Sequence, residues 1–254
     1  LALAAWRRVG YRQLPSLHLA CSGLSPGVSK AEWLKLAERA AQALPMPPKT
    51  DLLGTEDNLF SDAMKRGFER LYDLFARAPW LGSLVNPRFA GGDLIEYGFA
   101  DMEPVLARVL AQAESAEISE MAVAAQGLAK AAEILAREVT LVTTNVPYLG
   151  RGKQDEVLRD YCEKQFPNAK TDLATCFIER SFGFCARGGS TALVAPQAWL
   201  FLSAYTDLRR SLLQHRRWRL LMRLGPRAFE AVSGEVVNVV LFAADHAEPV
   251  EAEF

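Results

Sequence analysis

Glu138-Val139-Thr140-Leu141-Val142-Thr143-Thr144-Asn145-Val146-Pro147-Tyr148 is the stretch of sequence from which the fold can be argued. Its first six residues are mainly β-branched or apolar, which is typical of a strand. The last four residues therefore fall in the loop at the carboxyl end of that strand. Ligands bind at this edge in open α/β sheets. The stretch thus predicts an α/β fold with its functional loop at Asn145 to Tyr148.

Helical patterns precede this strand. Ser29 and Glu32 have the spacing of a capping box, which predicts a helix from Ser29 onward. Apolar residues at three- and four-residue spacing predict three more helices, over Asp57–Ala78, Ala100–Glu114 and Ile118–Arg137. The segment Pro79-Trp80-Leu81-Gly82-Ser83-Leu84 is predicted to be a loop. Residues 29–137 are thus expected to form a helical insertion before the strand.

Helices and strands alternate after the loop. Helices are predicted over Lys153–Gln165, from Thr171 or Asp172 to Phe184, and over Trp199–Leu213. Strands are predicted over Ser190–Ala195, Trp218–Leu224 and Val236–Ala243. Gly188-Gly189 precedes a strand and predicts a turn.

The tetrapeptide Asn145-Val146-Pro147-Tyr148 resembles the Asn-Pro-Pro-Tyr motif of amino-methyltransferases that act on adenine in DNA. Further matches follow in order along the chain: Lys153, Asp172 to Glu179, Gly188-Gly189, Leu193 to Pro196, and Tyr205 with Leu208-Arg209. This ordered set is similar to the large adenine methyltransferases of BREX-type phage defence and of type IIG restriction-modification systems. The resemblance implies an incomplete Rossmann-like methyltransferase sheet and methylation of the adenine amino group in DNA.

The chemistry of the tetrapeptide fits that resemblance. The exocyclic amine of adenine is a poor nucleophile, and a site must hold it with hydrogen-bond acceptors. Asn145 offers its side-chain oxygen, and the resemblance implies that the Val146 carbonyl is the second acceptor. Pro147 would shape the loop. Tyr148 offers an aromatic face for an adenine flipped out of double-stranded DNA, a contact worth about 1–3 kcal/mol.

The resemblance also implies S-adenosylmethionine as the cofactor. It suggests Ser22, in the loop after a predicted strand over Leu17–Cys21, and Asp172 as residues near the cofactor. No glycine-rich loop of the cofactor-binding type occurs between a strand and a helix, and the chain begins with Leu1 instead of Met. We therefore expect a fragment that does not bind the cofactor or turn over by itself.

Three parts are expected on this basis. Residues 1–28 would be a remnant of the cofactor side, comprising a helix over Leu1–Val9 and the strand over Leu17–Cys21. Residues 29–137 would be the helical insertion. Residues 138–254 would be the half of the methyltransferase domain that binds the target base.

Composition restricts the partners. The formal net charge is −1, so a DNA-binding surface requires local clustering of basic residues. Arg216, Arg217 and Arg219 form the basic concentration, and with Lys153 they are candidates for phosphate contact. A solvated helix end would explain the arginines equally well. The resemblance adds phage-defence proteins as candidate partners.

Composition also indicates the setting of the protein. The sequence contains no apolar run long enough to span a bilayer, which predicts a cytoplasmic protein without a membrane partner. The four cysteines lack metal-ligand spacing, so no metal site is expected.

Two other functions remain open at this point. The chain could be a non-catalytic piece that binds a base or a partner and lacks a cofactor site. It could also belong to a methyltransferase that acts on RNA or on a protein glutamine, because related tetrapeptides hold other planar amides and amines.

Overall fold

The computed structural model describes residue 8 and residues 18–43, 55–89, 99–113, 115–224 and 238–249. The chain divides into two compact units, Leu1–Leu135 and Ala136–Phe254. The predicted division into residues 1–28, 29–137 and 138–254 stays a prediction. None of the described helices is long and apolar enough to cross a membrane.

The first unit is helical. Its helices are α1 (Lys30–Ala43), α2 (Thr55–Phe75), α3 (Ala78–Leu81), α4 (Phe99–Ala111) and α5 (Ala116–Ala136). The predicted capping box at the start of α1 is confirmed, because the Ser29 backbone N–H donates to Glu32 Oε2 at 3.0 Å and Glu32 N–H donates to Ser29 Oγ at 3.3 Å. Trp33 is fully buried between α1 and α2, and its Nε1 donates to the Phe68 carbonyl at 2.8 Å.

The described residues of the second unit include a four-stranded mixed sheet. The strands are β1 (Val139–Asn145), β2 (Cys185–Pro196), β3 (Arg217–Arg223) and β4 (Val239–Asp245), in the order β1-β2-β4-β3. β1 and β2 are parallel, whereas β4 is antiparallel to both β2 and β3. β1, β2 and β3 therefore run in the same direction, and their carboxyl ends lie at one edge of the sheet.

A helix packs on one face of this sheet. The helices described in the second unit are α6 (Glu156–Gln165), α7 (Leu173–Phe184) and α8 (Thr206–His215), and α7 packs on β1 and β2. The buried face alternates along β2 and β4, as expected for a sheet with one covered face. Its central residues are Thr191, Leu193, Ala195, Val240, Phe242 and Ala244. On the opposite face, Ala192, Val194, Leu241 and Ala243 are only half-buried.

Gly188 and Gly189 lie within β2, so the predicted turn is wrong. Val139 pairs with Cys185 and Leu141 with Ser190, so a step of two residues along β1 corresponds to a step of five residues along β2. This is a bulge. Gly188 has a φ of 80°, which favours glycine. A Cβ on Gly189 would lie 2.8 Å from the Thr140 carbonyl oxygen.

Two local predictions also require correction. Residues 18–21 form no strand, and Leu19 is 76% exposed, so this short alternating run lacks a partner that would bury its apolar side chains. Leu17 lies outside the described residues. The helix predicted over Leu1–Val9 also lies outside them, except for Arg8. The loop predicted over residues 79–84 is instead helical, with Pro79 in the first turn of α3, where its missing N–H costs little.

Two helices begin later than predicted. α6 begins at Glu156 because the Asp155 side chain caps it by accepting from the Leu158 N–H at 2.9 Å. α8 begins at Thr206, since residues 197–205 form two short 3₁₀ turns with an extended Leu202 between them.

The bulge provides a stability test. Gly189→Ala should lower the free energy of unfolding by about 1–3 kcal/mol, because the new Cβ collides with backbone that cannot move aside easily. Chemical denaturation measures this change. Gly152→Ala is the matched control, since a Cβ there meets nothing within 4 Å. Equal stabilities for the two variants would contradict the bulge geometry.

Candidate active site

Asn145 is the last residue of β1 and lies at the carboxyl edge of the sheet. Its Cα pairs with Val194 of β2, and the next residue extends the ladder, because the Val146 N–H donates to the Val194 carbonyl at 3.4 Å. A proline at position 146 would lack that donor. The Val146 side chain is 3% exposed, which anchors the loop, while Asn145 itself is exposed.

Tyr148 folds back toward Asn145. Its hydroxyl donates to Asn145 Oδ1 at 3.3 Å, and the side chain remains 37% exposed. Burial raises the pKa of Tyr148 above its ordinary value of 10.0. The phenol is therefore protonated at neutral pH and acts as a donor. The amide oxygen of Asn145 has two lone pairs, so it can accept a second hydrogen bond from a ligand.

The loop is fastened to the start of α7 by hydrogen bonds that we call the clasp. The Leu149 carbonyl accepts from the Leu173 N–H and from Gln154 Nε2, both at 3.0 Å. The Arg151 N–H donates to the Thr171 carbonyl at 3.0 Å. The clasp fixes the loop at its downstream end, and the Val146 bond to β2 fixes it at the upstream end.

Asp172 caps α7 within the clasp. Its Oδ1 accepts from the Ala174 N–H at 2.8 Å. Burial raises the pKa of Asp172, and hydrogen bonds from the backbone of Ala174 and Leu149 offset part of that increase. Tyr205 lies nearby, and burial together with the charge of Asp172 raises the pKa of Tyr205 to about 12. The structure thus gives Asp172 a structural position, and its predicted contact with a cofactor stays a prediction.

A groove adjoins Asn145 on the open face of the sheet. Its volume is about 470 Å³, and it is mainly apolar. Thr143 and Asn145 line its β1 side, Val194 its floor, and Leu220 its far side. The groove gives the polar end of β1 an apolar neighbourhood suited to a flat, partly apolar ligand.

The predicted basic residues differ in their surroundings. Arg219 donates through Nε to Asp245 Oδ2 at 2.7 Å and also pairs with it through Nη2. The Arg216 guanidinium is half-buried, 4.7 Å from the centre of the Phe182 ring. Arg217 is half-buried and Lys153 is exposed. The phosphate role of these four residues stays a prediction.

The described residues do not fit the methionine part of S-adenosylmethionine. That part requires glycines between a strand and a helix so that the backbone can approach the ligand. Among the strands that the structure describes, β1 is followed by Val146 to Leu149 and β2 by Gln197. Ser22 lies in a turn of the first unit. Its predicted cofactor contact remains a prediction.

Gln154 is a site residue that the sequence did not reveal. It is 6% exposed and donates to the Leu149 carbonyl, so it supports the loop from beneath. A glutamine before a helix carries no pattern that distinguishes it from a surface residue. Its importance follows only from the tertiary position of Leu149.

The chain is similar to proteins of one class. Residues 112–229 match the family model described as "Eco57I restriction-modification methylase". The chain is 34% identical over 171 residues to the adenine-specific methyltransferase BrxX of Escherichia coli O9:H4 (strain HS), covering 66% of this chain. It is 33% identical over 119 residues to the adenine-specific methyltransferase PglX of Lacticaseibacillus casei (strain Zhang), covering 46% of this chain.

The chain spans only 14% of the length of BrxX and 10% of that of PglX. Among solved structures, the M protein of the type I restriction enzyme EcoKI aligns at 15% identity with a TM-score of 0.34. That alignment covers 88% of this chain and 64% of the EcoKI protein.

Asp172 allows a test of the clasp. Asp172→Ala should lower the free energy of unfolding by about 0.5–2 kcal/mol because the cap is lost. Asp172→Asn should cost less, since asparagine caps equally well and carries no buried charge. The raised pKa means that ionised Asp172 costs stability at neutral pH, and that this cost is relieved as the pH falls through its pKa. The stability that Asp172→Asn gains over the wild type by removing the charge should therefore be smaller at low pH than at neutral pH.

Chemical denaturation of the wild type and of both variants, near pH 7 and near pH 4, measures these effects. An asparagine variant as unstable as the alanine variant would contradict the capping role.

Proposed function

We propose that the protein containing this chain methylates the adenine amino group in DNA, because residues 112–229 match the family model described as "Eco57I restriction-modification methylase". S-adenosylmethionine would be the methyl donor. The adenine-specific methyltransferases BrxX and PglX support this proposal. They also favour it over a non-catalytic piece that binds a base or a partner.

The observation that carries the proposal is the hydrogen bond that the Tyr148 hydroxyl donates to Asn145 Oδ1, in a loop fixed at both ends. The Val146 bond to β2 and the clasp restrict where these two groups can lie. Such prior fixation matters because catalysis depends on groups that do not need to reorganise during the reaction. An exposed acceptor beside an exposed aromatic ring suits a flat base that carries an amine.

Two acceptors would act on the amine. Asn145 Oδ1 would accept one N–H, and the Val146 carbonyl would accept the other. Two such hydrogen bonds favour a pyramidal nitrogen, whose lone pair is less delocalised into the purine ring. The Val146 N–H bond to Val194 orients the peptide that follows Asn145. Pro147 would limit the conformations of the loop between the two binding residues.

Tyr148 would hold the adenine by stacking after it leaves the duplex. Its phenol would remain a hydrogen-bond donor to Asn145, since burial raises its pKa above 10.0. Neither Asn145 nor Tyr148 is a base at neutral pH. The proton released when the nitrogen is methylated would therefore pass to water.

The cofactor would supply an electrophilic methyl group. The described residues provide the side of the reaction that holds the amine, and no cradle for the cofactor occurs among them. Lys153, Arg216, Arg217 and Arg219 would contact DNA phosphates. The biological setting would be host marking or phage defence, in which other defence proteins would be partners.

Asn145 provides the principal test. In the intact protein, Asn145→Ala should reduce transfer of labelled methyl groups to DNA by about 100-fold or more, the effect expected when one positioned hydrogen-bonding group is removed. Cofactor affinity should change little. The control is Asn86→Ala, which removes an amide that accepts from the Arg88 N–H in the helical unit. Retained activity in the Asn145 variant would overturn the proposal.

Tyr148 separates stacking from hydrogen bonding. Tyr148→Ala should weaken binding of a duplex with one unpaired adenine by about 5- to 150-fold, corresponding to about 1–3 kcal/mol of stacking. Tyr148→Phe keeps the ring and removes the bond to Asn145. It should bind within about threefold of the wild type by fluorescence anisotropy. Equal losses in the two variants would argue against stacking.

A further inference from the structure

A second aromatic group lies at the same edge of the sheet as Asn145. Phe201 and Leu202 follow β2, and their side chains are 59% and 54% exposed. The guanidinium of Arg223, the last residue of β3, lies 5.2 Å from the centre of the Phe201 ring. We call these two residues the Phe201–Arg223 pair. Proteins use an arginine beside an exposed aromatic ring to bind single-stranded nucleic acids.

Hydrogen bonds hold the backbone around Phe201. Arg209 Nη1 donates to the carbonyls of Trp199 and Leu202, both at 2.7 Å. The N–H groups of Phe201 and Leu202 both donate to the Ala198 carbonyl at 3.1 Å. The exposure of Phe201 is therefore a property of an ordered turn.

The turn rests on an aromatic core. Trp199 is 1% exposed, and its ring centre lies 5.9 Å from that of Trp218 and 5.4 Å from that of Phe242. Trp199 thus points into the core while Phe201, two residues later, is exposed. The sequence places one aromatic residue in the core and keeps the other accessible.

Arg223 is also fixed. Its Nε donates to Gln197 Oε1 at 2.9 Å, which ties β3 to the start of the turn that carries Phe201. Burying a phenylalanine side chain would stabilise the fold. Single exposed apolar residues are ordinary, but this one is held in place with a positive charge at its ring. That arrangement favours a ligand with an aromatic face and a negative charge.

The strand order places Arg223, at the end of β3, away from Asn145, at the end of β1, and the Phe201 ring lies beside the Arg223 guanidinium. β1 and β3 are separated by β2 and β4, which corresponds to three strand spacings, or roughly 14 Å. This distance exceeds the length of a purine ring. The base that stacks on Phe201 is therefore not the base that Asn145 would bind.

We propose that the Phe201–Arg223 pair binds a second, unpaired base of the DNA and its phosphate. This inference rests on the proposed function, since a flipped adenine leaves unpaired and unstacked bases nearby. The Phe201 ring stacks on that base without regard to sequence, because every base has an aromatic face. The Arg223 guanidinium contacts the adjoining phosphate. The pair thereby holds the opened DNA while the loop at Asn145 holds the target.

The test compares variants of Phe201 in the intact protein. The probes are a single-stranded oligodeoxynucleotide, a duplex with unpaired adenines and the fully paired duplex. Phe201→Ala should weaken binding of the first two by about 5- to 150-fold and affect the paired duplex less. Phe201→Leu should be similarly weak because it lacks a ring, whereas Phe201→Tyr should bind within about twofold of the wild type. Arg223→Gln should lower the salt dependence of binding by about one phosphate contact.

The control is Leu213→Ala, which removes an apolar side chain that is 56% exposed on α8. It should leave binding unchanged. Wild-type affinity in Phe201→Ala would overturn this inference. Wild-type affinity in Phe201→Leu would also overturn it, because it would show that an apolar side chain without a ring is sufficient. If the wild type binds none of the probes, the proposed function itself fails. If it binds them and Asn145→Ala abolishes methylation while Phe201 is neutral, only the inference about the Phe201–Arg223 pair fails.

Discussion

The acceptance of two hydrogen bonds by the Leu149 carbonyl is the constraint on which the candidate site depends. The donors are the Leu173 N–H at the start of α7 and the buried Gln154 side chain. A loop after an edge strand would otherwise be held only at its upstream end. Because α7 packs on β1 and β2, the clasp restrains the positions of Asn145 and Tyr148 relative to the sheet. Asp172 stabilises the same junction by capping α7, which links the stability of the helix to the geometry of the loop.

Strand direction determines what else lies near that loop. Because β1, β2 and β3 run in the same direction, Asn145, the turn after Pro196 and Arg223 lie at one edge. The open face contributes an apolar groove beside Asn145, and the turn contributes the exposed Phe201. The loop that we propose to bind an amine and the exposed ring that we propose to stack on a base lie at one edge, which suits a nucleic acid that has been locally opened. The proposed reaction and the proposed second base contact thus depend on the same topology.

The sequence predicted the parts of this arrangement that local chemistry determines. The β-branched run before Asn145 predicted β1, and the Ser29 and Glu32 spacing predicted the cap of α1. Thr171 or Asp172 was predicted to cap α7, and Asp172 is the cap. The features that depend on distant contacts were missed. Gly188 and Gly189 form a bulge because β2 must pass the Thr140 carbonyl, and α8 starts late because Arg209 holds the carbonyls of the preceding turn. The support of Leu149 by Gln154 likewise has no signature in the sequence.

The chemical identity of the product tests the central claim most directly. The intact protein would be incubated with DNA and S-adenosylmethionine labelled in its methyl group, and the DNA would be digested to nucleosides for mass spectrometry. We expect the label in deoxyadenosine methylated on its exocyclic amine, because Asn145 and Val146 offer acceptors to an amine beside a stacking ring. Label in methylated cytosine, or in the protein instead of the DNA, would contradict the account.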